Sequence, residues 1–332
     1  MLAMASAAGQ RRHMRRIAAD PAGAVLQDPP HGRPLTVRSA DETLLYAEVF
    51  GPHDGEPVLL LHGWTETLAF WVYVTEELVR RGFRVVAMDL RGHGESQPAA
   101  AGEYALARFG DDLEAMLDAT LTDGERAIIA GHSLGAMAIA AWAERHDVAR
   151  RARGAALINT GLGDLLAEQL LIPVPAIART VSDAIAVRGL LGSRAPLPRF
   201  STPASYALVR YTAFGPTATP AQIAFYERML WTCPPRVRAD VGIALSEMDL
   251  FHAVERLLVP TVVVAGERDR LTPPSHGKRI AELLPDSAGL ILLENTGHMG
   301  PLERPREISE AIAELSAGTK ATTAAPAGAA EL

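Results

Sequence analysis

Four short apolar runs constrain this chain more than anything else in it. They are Pro57-Val-Leu-Leu-Leu-His-Gly63, Phe83-Arg-Val-Val-Ala-Met-Asp-Leu90, Ala127-Ile-Ile-Ala130 and Pro260-Thr-Val-Val-Val-Ala-Gly266. Each is too short for a helix and apolar at odd and even positions alike, the pattern of a strand covered on both faces. The segments between them carry helical spacing instead. Phe70, Val74, Leu78 and Val79 share one side of 65–81, which Gly82 closes, and Leu106, Phe109, Leu113, Met116 and Leu117 do the same within 104–120. Further strands are expected at 152–161 and 288–293, helices at 136–144, 274–284 and 304–315, and an opening hairpin around the Ser-Ala-Asp-Glu turn of 35–50. Alternation of this kind requires an α/β fold: a mainly parallel, eight-stranded-type sheet with helices on both faces and its chemistry at the strand C-termini.

The alternation breaks once. Between 162 and 245 prolines scatter, helical stretches dominate (165–171, 176–191, 205–214, 220–231) and no buried strand occurs, so this segment reads as an insertion. The core is then 35–161 plus 246–316, preceded by an N-terminal arm at 1–34 and followed by a tail at 317–332 that is too poor in bulky side chains to order. Residues 1–16 place small residues before Arg-Arg-His-Met-Arg-Arg, the reverse of a secretory signal, and read as a frayed basic arm rather than a short docking helix. A cytoplasmic setting is expected, and the single cysteine, Cys233, fits a reducing compartment. A net charge of −7, without a basic cluster interleaved with aromatics, disfavours nucleic acid. No apolar run approaches the roughly 18 residues of a membrane span, so stable membrane insertion is not expected. No Cys/His set has metal-ligand spacing, and neither metal nor cofactor is expected.

The reactive centre is expected within 126–138, where Gly131-His-Ser-Leu-Gly135 stands between a buried strand and an alanine-rich helix. Gly-x-Ser-x-Gly at a strand-to-helix turn lifts Ser133 to the strand tip, because small residues two before and two after let strand and helix close around a strained backbone. A serine hydroxyl needs a general base and a carboxylate to orient that base. His298, in the turn-rich Asn295-Thr-Gly-His-Met-Gly-Pro301, is the best placed histidine. His132, under the elbow, and His62, at a strand end, read as structural, while His93 and His252 have no supporting context. For the carboxylate, Asp269 is preferred over Glu267 because it stands further past its strand, just before a helix. Asp89 reads as structural, pairing with Arg91 or with backbone amides. Two N–H donors are needed for an oxyanion, and the candidates are Leu134 in the elbow and Trp64 after the glycine of the first apolar run.

With these pieces in place the chain resembles an α/β-hydrolase fold serine hydrolase, esterase- or lipase-like with a helical cap. The matching motifs are His62-Gly63-Trp64, Asp89-Leu-Arg-Gly-His-Gly-Glu-Ser96, the Ser133 pentapeptide, Gly266-Glu-Arg-Asp269 and Gly297-His298, together spanning 35–315. The resemblance implies Ser133, Asp269 and His298 as a triad, Trp64 and Leu134 as oxyanion donors, and 162–245 as a cap over the site. One departure is local: Ala136 stands where many relatives have a further glycine. Serine at the elbow argues against dehalogenase or epoxide hydrolase chemistry. The expected activity is carboxylic-ester hydrolysis through an acyl-enzyme. Alternatives on the same triad are carbon–carbon bond, thioester or lactone hydrolysis and cofactor-free haloperoxidase activity, and a non-catalytic ligand-binding protein is the reading from outside the enzymes. The insertion carries eight arginines against five acids, which would suit an anionic substrate or an anionic lipid surface if it were not ordinary solvated arginine. Its Leu-, Ile- and Ala-rich stretches suggest a small-molecule substrate with an apolar acyl or aromatic group. The sequence does not determine an oligomeric state.

Overall fold

The computed structural model describes residues 2–100, 103–163, 165, 192–197 and 200–318. Eight strands form one sheet: β1 Arg33–Arg38, β2 Leu44–Phe50, β3 Pro57–Leu61, β4 Arg84–Met88, β5 Ala127–His132, β6 Ala152–Ile158, β7 Thr261–Gly266 and β8 Ser287–Leu293. Their spatial order is β1-β2-β4-β3-β5-β6-β7-β8. The hairpin β1–β2 and the β2–β4 pair are antiparallel and every other pair is parallel. The main helices are α1 Leu2–Ala18, α2 Val72–Arg80, α3 Leu106–Thr120, α4 Leu134–Arg145, α5 Pro203–Ala213, α6 Pro220–Thr232, α7 Pro235–Glu247, α8 Pro274–Leu283 and α9 Pro305–Ala317.

The apolar runs become central strands because both of their faces are covered. Every residue of β3, β4, β5 and β7 is buried. The period of two sends Leu59, Leu61, Val86, Met88 and Ile129 into one core, with Phe109 and Leu113 of α3 and the buried face of α4. Val58, Leu60, Val85, Ala87 and Ile128 go into the other, with Val74 and Leu78 of α2 and Ile308 and Ile312 of α9.

Differences from the sequence reading are local. The helix expected over 65–81 begins only at Val72, after a 3-10 turn at Leu68–Trp71, because Thr65 takes φ +66° and the preceding loop is tied into the site. The helix expected at 304–315 is α9, which starts at Pro305 after a separate turn at Gly300–Glu303. Residues 2–16 are helical rather than frayed. They lie in α1, whose Gln10 donates to Ser201 O, whose His13 lies 2.8 Å from Ser201 Oγ, and whose His13 ring stands edge-on to Tyr206 at 4.9 Å. The helices expected at 165–171 and 176–191 lie, except for Leu165, outside the described residues, as does the tail at 319–332. Between β6 and β7 the described residues contain helices and no strand.

Asp89 and Arg91 serve separate purposes. Asp89 accepts the amides of Leu68 (2.7 Å) and Glu95 (2.9 Å), so of the two partners proposed for it the backbone is the real one. Burial pushes its carboxyl up to about 7, against the pull of those amides. Arg91 instead forks onto Asp112 with two 2.6 Å bonds and reaches Asp41 at 2.8 Å. Truncating Asp112 to alanine leaves a fully buried guanidinium with Asp41 as its remaining counter-charge, and urea unfolding should register a loss of about 3 kcal/mol.

Candidate active site

The elbow is built by exclusion. Ser133 sits at φ +49° between the end of β5 and the start of α4. A Cβ on Gly131 would lie 2.4 Å from Ala136 N, and one on Gly135 would lie 2.2 Å from Leu61 O and 2.8 Å from His62 O. Neither position has room for a side chain because strand and helix touch there through backbone. Gly135→Ala should therefore cost about 3 kcal/mol or prevent folding, read as a lowered urea midpoint. Ser133 N–H continues the sheet ladder to Ile158 O (3.0 Å), and Thr160 Oγ1 donates to Ser133 O (3.0 Å). Ala136 is fully buried and packed in the core.

Asp269 and His298 meet directly. His298 Nδ1 lies 2.8 Å from Asp269 Oδ2, with the two residues 2% and 4% exposed. The carboxylate takes four further bonds: Oδ1 accepts the amides of Leu271 and Thr272 (both 2.9 Å), and Oδ2 accepts Thr272 Oγ1 (2.9 Å) and Asn159 Nδ2 (3.1 Å). An acceptor-only partner at Nδ1 fixes the proton there and leaves Nε2 as the basic nitrogen. Burial alone would raise the Asp269 carboxyl. The His298 imidazole beside it, with the Thr272 and Asn159 donors, outweighs burial and holds it below the ordinary carboxylate range. The stability this contributes is present above the unfolded-chain value of about 3.9 and is lost as pH falls through the lower folded value. The stability gap between the wild type and Asp269→Asn should thus narrow on acidification from pH 6, as followed by thermal melts. Glu267, the rival carboxylate, is exposed and accepts Asn295 N (3.2 Å) instead.

The histidines read as structural are both fully buried beside the site, His132 at the end of β5 and His62 just after β3. His62 Nε2 accepts Leu90 N (3.0 Å), so its proton is on Nδ1, directed to Gly63 O at 2.7 Å. Burial holds it well below its ordinary value. His93, without context in the sequence, accepts Thr65 N (3.3 Å) and is held at about 4, chiefly by burial. Together they fasten the Trp64 loop to the loop after β4. Trp64 is half-buried against the core. Leu134 opens α4, where a first-turn N–H has no partner within its helix.

Sequence reasoning missed Glu66, Asn159, Thr272 and Glu303. Asn159, at φ +45° after β6, bridges Asp269 and Gly297 O (3.1 Å). Glu303 accepts the amides of Gly215 (2.8 Å) and Gly297 (3.0 Å), and burial pushes it up to about 7. The insertion reaches the same loops: Ala213 O accepts His298 N (2.7 Å), and the Tyr226 hydroxyl lies 3.5 Å from Thr65 Oγ1. Several of its arginines are occupied structurally, Arg194 with Asp240 (2.9 Å) and Arg228 and Arg238 on backbone carbonyls. Among the described residues no three His, Cys, Asp or Glu side chains are placed to hold a metal, and no helix is long and apolar enough to cross a membrane.

Comparison with known proteins agrees with this architecture. AB hydrolase superfamily protein YisY of Bacillus subtilis (strain 168) is 25% identical over 84% of this chain and 98% of its own length. A non-heme chloroperoxidase of Streptomyces lividans is 26% identical over 77% of this chain and 87% of its own. Among solved structures, esterase RhEst1 from Rhodococcus sp. ECU1013 superposes with a TM-score of 0.62 at 26% identity, covering 85% of this chain and 98% of that one. The α/β hydrolase fold family matches residues 56–305. The chain is therefore an enzyme of the α/β-hydrolase fold family.

Proposed function

We propose that this hydrolase cleaves a carboxylic ester through an acyl-enzyme on Ser133, with His298 as general base and Asp269 as the acid that orients it. The observation that carries the reading is the 2.8 Å bond between His298 Nδ1 and Asp269 Oδ2, on loops whose neighbour is the elbow itself. His132, the residue before Ser133, lies with Nε2 2.8 Å from His298 O and its ring 4.8 Å from the His298 ring.

Ser133 Oγ attacks the ester carbonyl while His298 Nε2 takes its proton. The tetrahedral oxyanion is held by the N–H groups of Leu134 and Trp64, the first of them at the positive end of α4. His298 returns the proton to the departing alkoxide, and a water then repeats the sequence to release the acid. Residues 162–245 serve as the cap, a role supported by the Tyr226–Thr65 and Ala213–His298 contacts. The substrate is a small molecule with an apolar acyl or aromatic group, and the setting is cytoplasmic, supported by a free, buried Cys233. Haloperoxidase chemistry on the same triad is the second reading, favoured by the likeness to the chloroperoxidase.

A panel of p-nitrophenyl esters, acyl thioesters and lactones, compared by kcat/KM, tests the class. Esters of short to medium acyl chains should lead. A clear preference for thioesters or lactones, or halogenation of a phenolic acceptor without ester turnover, would replace this reading.

A further inference from the structure

We propose that Glu66 and His132 form a buried carboxylate–imidazolium pair that positions the reaction, clamping the oxyanion loop, the nucleophile elbow and the His298 loop in one arrangement. The inference rests on the roles assigned above to Ser133 and His298. It follows from which atoms face which. Glu66 Oε2 accepts Gly63 N–H at 2.5 Å and lies 3.1 Å from His132 Nδ1, while His132 Nε2 lies 2.8 Å from His298 O. A backbone carbonyl only accepts, so Nε2 carries a hydrogen. The ionised Glu66 carboxylate likewise has only lone pairs to offer, so Nδ1 carries one as well. An imidazole with two donors is an imidazolium.

Such a cation, 0% exposed, survives only with a counter-charge in contact, and Glu66 at 2% exposure supplies it. Other titratable groups face the pair: on the Glu66 side, His93 from the loop after β4 and the Tyr226 hydroxyl from α6 feel its charge, and the rest surround the ring. From the loop after β8 comes the His298 ring at 4.8 Å, from the loop after β7 the more distant charge of Asp269, and from the end of β3 His62, kept neutral by accepting Leu90 N. Phe70, from the 3-10 turn, lies with its ring centroid 4.7 Å away. Burial opposes the charge on His132, but the Glu66 charge and bond, the His298 carbonyl and Asp269 outweigh it and hold the ring above its ordinary value. Gly63 is part of the device: a Cβ there would lie 2.8 Å from His132 Nδ1 and 2.9 Å from Glu66 Oε2. Each contact ends on a different working part, since Trp64 follows Gly63, Ser133 follows His132, and the third partner is the backbone of His298 itself. Loss of the proton would set a lone pair against an acceptor at one end and loosen that register. The pair also stabilises the fold fully below the unfolded-chain value of about 6.5, and this is lost as pH rises through the higher folded value.

Two measurements test the pair. Ring-nitrogen NMR of His132, recorded in the wild type and in Ser133→Ala, should show both nitrogens protonated at pH 7 and above; a neutral-ring pattern at pH 7 overturns the proposal. Glu66→Gln should lower kcat about 10- to 100-fold with KM within twofold, the scale of a small misplacement of reacting groups. It should also make kcat fall as pH rises through a range centred at or below about 6.5, because the unpartnered buried ring then loses its proton there. Glu66→Asp, which keeps the charge, should recover part of kcat and a flat alkaline side. A folded Glu66→Gln enzyme with wild-type kcat and pH profile overturns the proposal, and if that variant does not fold the NMR result decides alone. Fluorophosphonate labelling of wild-type Ser133 reports on the hydrolase reading separately, since the His132 spectrum does not depend on whether Ser133 reacts.

Discussion

Replacing Ser133 with alanine is expected to reduce ester turnover by about 10⁴- to 10⁶-fold while leaving KM and thermal stability close to wild type. The size of the effect follows from the step removed. Without the hydroxyl no acyl-enzyme forms, and water must attack with help from the oxyanion donors alone. The stability expectation is equally specific. Ser133 bonds through its backbone, its N–H donating to Ile158 O and its C=O accepting from Thr160 Oγ1 and the amides of Ala136 and Met137, and alanine keeps all four. At φ +49° alanine is no more strained than serine. The comparison of kcat with a urea midpoint therefore separates chemistry from folding in one variant.

Asp269→Asn should cost about 10⁴-fold in kcat, nearly as much as loss of the nucleophile. The amide's NH₂ group can occupy the place of Oδ2 and donate to His298 Nδ1, which moves the imidazole proton to Nε2 and removes the base. This variant should also lose stability, because Thr272 Oγ1 and Asn159 Nδ2 now donate at Oδ2 and would face a donor. The two substitutions thus predict different signatures: Ser133→Ala is inactive and stable, whereas Asp269→Asn is inactive and destabilised. Measuring kcat and thermal melts for both, at pH 7, checks the pattern. An Asp269→Asn enzyme with more than a tenth of wild-type kcat would remove the carboxylate from the mechanism.

What the sequence made legible was whatever depends on near neighbours in the chain. The buried strands announce themselves because β3, β4, β5 and β7 are apolar at consecutive positions, and the elbow does so because its steric requirement, glycine at 131 and 135, spans five residues. Asp269 could be preferred over Glu267 from its distance beyond β7, and the structure puts it in contact with His298. Less legible were polar residues whose partners are remote. Glu66 meets His132 across 66 positions, Asn159 meets Asp269 across 110, and Glu303 meets Gly215 across 88. No periodicity encodes such pairs. The N-terminal helix is hard to read for a related reason: beside Ile17 it docks through polar residues, Gln10 and His13 against Ser201, so no continuous apolar stripe marks it. The late start of α2 has a local cause that composition hides, the use of 62–67 to hold the site rather than to begin a helix.

The most direct test of the central claim is the mass of the trapped intermediate. The enzyme should be mixed with a fluorophosphonate or a slowly deacylating p-nitrophenyl ester, digested, and the modified peptide sequenced. The account predicts one stoichiometric adduct on Ser133, absent in Ser133→Ala and strongly slowed in Asp269→Asn. Full ester turnover with no covalent adduct, or an adduct on any other residue, would contradict it.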